Sequence, residues 1–212
     1  MSINNQGRKI KVIYKGSTKF GRVYKGEQII FGTKFHDVKT FTASGSFIFP
    51  NRLISLTITV VGGGGASGGW SNDRHGWYTP KPGQNGGKAI HSLSNAIDYS
   101  NKTVTFIVGD GGKAGAQAWS GKFNGFYAST KGGDSSVPLF NLVATGGYQG
   151  WTAGNPQSTD NQPGTASGGN TFNGVSTDAY PANGGGAPIS SSVGAGINGV
   201  VGKVVFDYYY WK

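Results

Sequence analysis

Glycine in this chain is concentrated where β-strands end. The segment Ile54-Ser55-Leu56-Thr57-Ile58-Thr59-Val60-Val61 alternates apolar and polar residues, then enters Gly62-Gly63-Gly64-Gly65 directly. Doublets or triplets recur at Gly68-Gly69, Gly86-Gly87, Gly111-Gly112, Gly132-Gly133, Gly146-Gly147, Gly168-Gly169 and Gly184-Gly185-Gly186. Glycine has no side chain to pack and loses the most conformational entropy on ordering. Such runs must be ordered by backbone pairing or left as loops. The 39 glycines lack a strict every-third-residue period, which excludes collagen. Glycine also permits extended helices with three residues per turn, packed side by side and bonded laterally through amides and carbonyls. The sequence predicts that arrangement for the runs.

The rest of the chain reads as all-β. Phe47 and Phe49 fall on one face of a strand, and Ile54, Leu56, Ile58 and Val60 on one face of the next, the half-buried antiparallel signature. Further strands are predicted at 89–97, 103–108, 142–145 and 200–211, the last with Val204, Phe206, Tyr208 and Tyr210 on one face. No useful window shows helical periodicity. Three long glycine-rich excursions separate the strands, at 62–87, 109–136 and 146–199. Excursions of that length are functional or disordered, and tryptophan argues against disorder.

Residues 1–40 differ in chemistry from the remainder. They hold nine Lys/Arg against Glu27 and Asp37, whereas residues 41–212 hold ten basic and seven acidic residues. Ile13-Tyr14-Lys15-Gly16 returns as Val23-Tyr24-Lys25-Gly26, and Gln28-Ile29-Ile30-Phe31-Gly32 follows. These read as a three-stranded meander, too small to stand alone, that docks or trimerises the protein. The expected domains are therefore 1–40, a basic β-meander, and 41–212, the glycine-rich unit. There is no cysteine, which suits a reducing compartment, and the start of the chain carries no apolar signal stretch. No segment is apolar for long enough to be a membrane helix, so membrane insertion is not expected.

Phe41-Thr42-Ala43-Ser44-Gly45-Ser46-Phe47-Ile48-Phe49-Pro50 followed by Leu56-Thr57-Ile58-Thr59-Val60-Val61-Gly62-Gly63-Gly64-Gly65 resembles the opening of glycine-rich domains in bacteriophage tail fibres and other virion proteins. Thr103-Val104-Thr105-Phe106-Ile107-Val108-Gly109-Asp110-Gly111-Gly112, Gly132-Gly133-Asp134-Ser135-Ser136, Ala144-Thr145-Gly146-Gly147 and Gly202-Lys203-Val204-Val205-Phe206-Asp207-Tyr208 resemble the later steps of the same domains. The likeness spans about residues 41–212. It implies an all-β, glycine-rich antiparallel β-sandwich, jelly-roll-like, with bundled glycine helices. It also implies localisation in the virion, no catalysis and no cofactor. The tyrosine–lysine–glycine repeat resembles N-terminal segments of phage structural proteins, which implies Tyr14, Lys15, Tyr24 and Lys25 as a virion-docking set. Implied partners are other virion proteins, sister copies in a homo-oligomer (a trimer favoured) and a host-surface polysaccharide or protein.

Enzyme motifs match by letter only. Gly65-Ala66-Ser67-Gly68-Gly69 fits a nucleophile elbow and follows a strand, but Trp70-Ser71-Asn72-Asp73-Arg74 does not continue as the helix an elbow needs. Gly194-Ala195-Gly196-Ile197-Asn198-Gly199 fits a dinucleotide fingerprint, yet a strand rather than a helix follows. His36, His75 and His91 have no ligand spacing, so no metal is expected. Asp110, Asp134, Asp160 and Asp178 in glycine-rich loops could hold calcium, although aspartate simply favours turns. Lysines interleaved with Tyr14, Phe20, Tyr24 and Phe31 invite a nucleic-acid reading, against which lysine also guards exposed strand edges. Nucleic acid is not the expected partner.

The loop aromatics are the expected ligand-binding set: Trp70, Trp77, Tyr78, Trp119, Tyr148 and Trp151. Indole faces stack on sugar rings, and Trp and Tyr dominate protein hot spots. The competing expectation is that they fold back over glycine runs that offer no side chains. The expected function is non-covalent adhesion by a tail-fibre or baseplate module. A capsid decoration or head-fibre protein with a cementing role is the alternative, and a hydrolase of host wall polymer a more distant one.

Overall fold

The computed structural model describes residues 33–67, 82–114, 129–150 and 196–212, together with short strands within 13–31, 71–78, 118–119, 166–167 and 172–175. The described chain is built from β-strands; its helical structure is two single 3₁₀ turns, Ile97–Tyr99 and Pro138–Phe140. None of its helices is long and apolar enough to cross a membrane.

The central sheet has five strands, all antiparallel to their neighbours. In chain order they are β5 (Lys34–Phe41), β7 (Leu53–Val61), β10 (Gly87–Leu93), β16 (Phe172–Val175) and β17 (Lys203–Trp211), and their order across the sheet is β16-β10-β7-β17-β5. Alternation decides the faces. Leu56, Ile58 and Val60 of β7 are buried, while Thr57 and Thr59 between them are only half-buried. Register sets Tyr208, Phe206 and Val204 of β17 beside those same three residues, and all are buried.

Further strands contribute residues to the core on that face. They include the antiparallel pair β6 (Gly45–Ile48) and β11 (Thr103–Phe106), and the strands β13 (Ser135–Val137) and β14 (Leu142–Ala144), the latter also paired with β15 (Ala166–Ser167). Phe206 is the hub of this core, with its ring centroid 5.3 Å from Phe49, 5.6 Å from Phe47 and 5.8 Å from Phe41 and Phe106. Val104, Val137 and Leu142 complete one continuous core. Aromatic residues supply much of the burial that glycine cannot.

Two expectations change near the N-terminus. The repeat is not a three-stranded meander. It forms two hairpins, β1 (Ile13–Lys15) with β2 (Thr18–Phe20) and β3 (Val23–Lys25) with β4 (Gln28–Phe31), each a separate two-stranded sheet. Each copy of the repeat thus opens one antiparallel strand pair, with two residues, Gly16-Ser17 or Gly26-Glu27, between its strands in sequence. Strand β5 also runs across the boundary drawn at residue 40, because the sheet begins at Lys34. Its charged residues Lys34, Asp37 and Lys39 hid it, as charge on an edge strand commonly does.

The sheet has two unlike ends. At one, the Trp211 amide donates to the Arg52 carbonyl at 3.1 Å and the Lys212 amide to the Thr33 carbonyl at 3.3 Å, so the hairpins enter there. At the other, Val61 stands between Lys203 and Lys88, and the strands continue into glycine. Burial, and then the nearby charge of Lys88, lower the Lys203 pKa below the ordinary lysine value.

Candidate functional site

Residues 62–67 extend β7 and are all buried. Their amides turn to a new neighbour at each step and return to the first after three. Gly62 donates to Gly87 (3.0 Å) and Gly65 to Gln84 (2.9 Å). Gly63 donates to Gly133 (2.9 Å) and Ala66 to Thr130 (3.1 Å). Gly64 donates to Val200 (2.8 Å) and Ser67 to Ile197 (2.9 Å). A period of three in bonding direction is the signature of a helix with three residues per turn. The carbonyls of the same segment are used as well, with Gly63 accepting from Gly147, Gly64 from Gly112 and Ala66 from Gly150.

One glycine helix is therefore wrapped by five others, at 84–87, 109–113, 130–133, 145–150 and 197–202. Each is the direct continuation of a sheet strand. The outer helices bond to one another with the same period: Gly199 donates to Gly112 and Gly202 to Gly109, while Thr130 donates to Lys113 and Gly133 to Asp110. The expected arrangement of glycine runs is present in these segments.

The need for glycine here is spatial. A Cβ on Gly65 would fall on the Tyr148 carbonyl, one on Gly132 on the Gly63 carbonyl, and one on Gly199 on the Gly64 carbonyl. Among the described glycines whose Cβ position neighbouring atoms fill, none has left-handed φ. The left-handed positions belong instead to Arg52, Asn101 and Asn141, with φ of 58°, 58° and 50°.

Serines terminate the bundle's hydrogen bonding where side chains fit. The Ser135 Oγ accepts the Gly109 amide at 2.9 Å, the Ser67 Oγ accepts the Ile197 amide at 2.7 Å, and the Ser129 hydroxyl donates to the Gly150 carbonyl. Ser67 is fully buried, so this residue is a bundle contact and not the exposed tip of a nucleophile elbow. Gly199, at the end of the second enzyme-like motif, likewise packs on the central helix. No group of three potential metal ligands occurs among the described residues.

Beyond Ser67 the first two excursions meet. Strands β8 (Ser71–Asp73) and β9 (Gly76–Tyr78) form a hairpin, and β12 (Ala118–Trp119) adds to β8 in parallel. The resulting sheet, in the order β12-β8-β9, places Trp119, Asn72 and Trp77 in one row, and Ala118, Ser71 and Tyr78 in the next. Trp77, Tyr78 and Trp119 thus lie on strands of one small sheet.

Tyr148 is not part of that sheet. It lies along the bundle, half-buried, its carbonyl accepting the Gln84 amide at 2.9 Å and its ring 5.3 Å from the Lys131 ammonium. Trp70 and Trp151 lie outside the described residues, as do His75, Asp160 and Asp178. Tyr14 and Lys15 fall in β1, Tyr24 and Lys25 in β3, at matching positions of the two hairpins. Asn72 was missed in the sequence. The Ser-Asn-Asp and Gly-Trp-Tyr triplets flanking Arg74-His75 give a hairpin signal, but nothing local announces the parallel pairing with Ala118 and Trp119.

The fold and bundle define a class: an all-β protein whose strands run on into a packed array of glycine helices. Residues 40–203 match the family model described as a glycine-rich domain, and the chain belongs to that family. No curated protein matches the sequence.

Proposed function

We propose that this protein is a virion structural protein of the bacteriophage adhesin type. The N-terminal hairpins, through Tyr14, Lys15, Tyr24 and Lys25, seat it on other virion proteins. The bundle tip meets a host-surface polysaccharide or protein without covalent chemistry. One observation carries the reading: the basic hairpins enter at the end of the sheet where Thr33 bonds Lys212, while the aromatic strands follow Ser67 at the far end of the bundle. The chain contour from Leu53 to Ser67 is about 50 Å, from the rise of strand and three-residue helix together. A run of strand and glycine helix with the hairpins preceding one end and the aromatic strands following the other suits presentation. Such binding is weak per site, and repeated copies on a particle supply avidity.

Immunogold labelling of purified virions with polyclonal antibodies raised against the folded protein tests this. Gold at the ends of tail fibres or at the baseplate is the expected result. Gold spread over the head would favour the cementing role, and particles without gold would overturn the reading.

A further inference from the structure

Strand β5 ends the five-stranded sheet, and among the described strands it pairs on one side only, with β17. The Val38 amide donates to the Asp37 carboxylate at 2.9 Å. In an antiparallel ladder successive residues turn their backbone groups to opposite sides. That amide therefore belongs to the open side of β5, together with those of His36 and Thr40, while Asp37 and Lys39 turn theirs to β17. Lys34, His36, Val38 and Thr40 are exposed, Val38 by 46%. At eight residues β5 is long for an open edge, and such an edge is a template for another strand.

The side chains along this edge are self-complementary. Two copies of one strand that pair antiparallel are related by a two-fold axis. With the axis at Val38, Asp37 of each copy stands opposite Lys39 of the other, and Phe35 opposite Phe41. Directly opposed unlike charges and aromatic pairs stabilise a sheet, whereas opposed like charges destabilise it. An axis at Asp37 or at Lys39 would set that residue against itself, and one at His36 or Thr40 would oppose no unlike charges.

We infer that β5 is a dimerisation edge, pairing antiparallel with β5 of a second copy about a two-fold axis at Val38. Each Asp37, whose Oδ2 is 3.1 Å from Lys39 in its own chain, then also faces the partner's Lys39, so the four charges alternate in sign around a square. The Asp37 carboxylate releases the Val38 amide, which bonds across the axis instead. The three central residue pairs supply about six backbone hydrogen bonds. Odd-numbered residues oppose odd-numbered ones, so the two sheets join with their cores on the same side. The chain carries a net charge of +10, and copies repel least where unlike charges meet. The inference is independent of the adhesin reading.

Sedimentation equilibrium of the full chain tests this. Expected is a monomer–dimer equilibrium. Asp37→Lys and Lys39→Asp each place like charges opposite one another twice and should weaken the dimer by about tenfold or more. The double variant Asp37→Lys/Lys39→Asp restores opposed unlike charges and should recover the wild-type constant to within about threefold. Val38→Pro removes an amide on the open side of the strand and should abolish the dimer, with the melting temperature of the monomer unchanged. Should the proline variant fail to fold, the charge exchange alone decides. A chain that sediments as a monomer at about 100 μM, or as a trimer, would overturn the inference. So would a dimer that a folded Val38→Pro variant retains, or one that the charge exchange fails to restore.

Discussion

Tyr208 donates its hydroxyl hydrogen bond to the Asp37 carboxylate at 3.2 Å, tying the core strand β17 to the charged edge strand β5. Burial, reinforced by the Asp37 charge, pushes the Tyr208 pKa from 10.0 up to about 12. A folded-state value above the unfolded one means that the native state holds the proton more tightly. The resulting stability is fully present below pH 10 and is lost as the pH rises towards about 12. Melting temperatures measured from pH 8 to 12 should fall across that window, and Tyr208→Phe should remove part of the fall. An identical profile in the variant would show that Tyr208 is not the group responsible.

Asp37 has the opposite linkage. The hydrogen bond from Lys39, 3.1 Å from its Oδ2, holds its carboxyl below the usual value of 3.8. Its contribution is present above the unfolded carboxylate pKa and disappears as acid protonates it in the folded state. Asp37→Asn should flatten the acid limb of the stability profile slightly, because the site is exposed and screened. A steeper acid limb in the variant would contradict this assignment.

Two glycine substitutions separate backbone crowding from ordinary space. A Cβ on Gly65 collides with the Tyr148 and Gly147 carbonyls, which cannot step aside without breaking bundle hydrogen bonds. Gly65→Ala should cost about 3 kcal/mol or more, at the top of the range for overpacking. A Cβ on Gly45 would sit 3.6 Å from the Phe106 ring, an ordinary contact. Gly45→Ala should change stability by about 0.5 kcal/mol or less. Urea titration distinguishes the two, and equal costs would mean that crowding is not what selects glycine in the bundle.

Ser67 is a hydrogen-bond acceptor for Ile197 and is fully buried. Ser67→Ala strands that amide and should cost about 1–3 kcal/mol. A serine-directed fluorophosphonate should leave the native protein unlabelled at this residue. Labelling there would restore the nucleophile-elbow reading.

The amides of residues 62–67 should be among the last to exchange with deuterated solvent, opening only with global unfolding. All six are hydrogen-bonded inside the bundle. Exchange of Gly63 or Gly64 as fast as that of an exposed loop would contradict the packed arrangement.

The sheet strands were legible because burial is one-sided. Leu56, Ile58 and Val60, and likewise Val204, Phe206 and Tyr208, announce their face by alternation. Strand β5 was not legible, since an edge strand carrying Lys34, Asp37 and Lys39 lacks that pattern. The glycine helices were readable as a type but not in their pairing. Which run contacts which is fixed by the strands that feed them, and glycine itself carries no register information. Tyr148 illustrates the cost at the site. Its neighbours in sequence suggest a loop aromatic, yet its carbonyl is a rung of the bundle. That Trp77 and Trp119 fall in one row of a sheet depends on a parallel pairing of Trp119 with Asn72, a distant pairing that no local pattern encodes.

The innermost helix follows β7 directly, but the carbonyls that receive Gly64 and Ser67 belong to Val200 and Ile197, about 130 residues further along the chain. A nascent chain that has not yet reached residue 197 consequently holds its glycine core with a third of its amide partners still unmade. The bundle can close only once residues 197–202 have been made, in a step that recruits segments from distant parts of the chain. Such long-range closure is slow, and any truncation before residue 197 leaves the innermost segment with unmet donors.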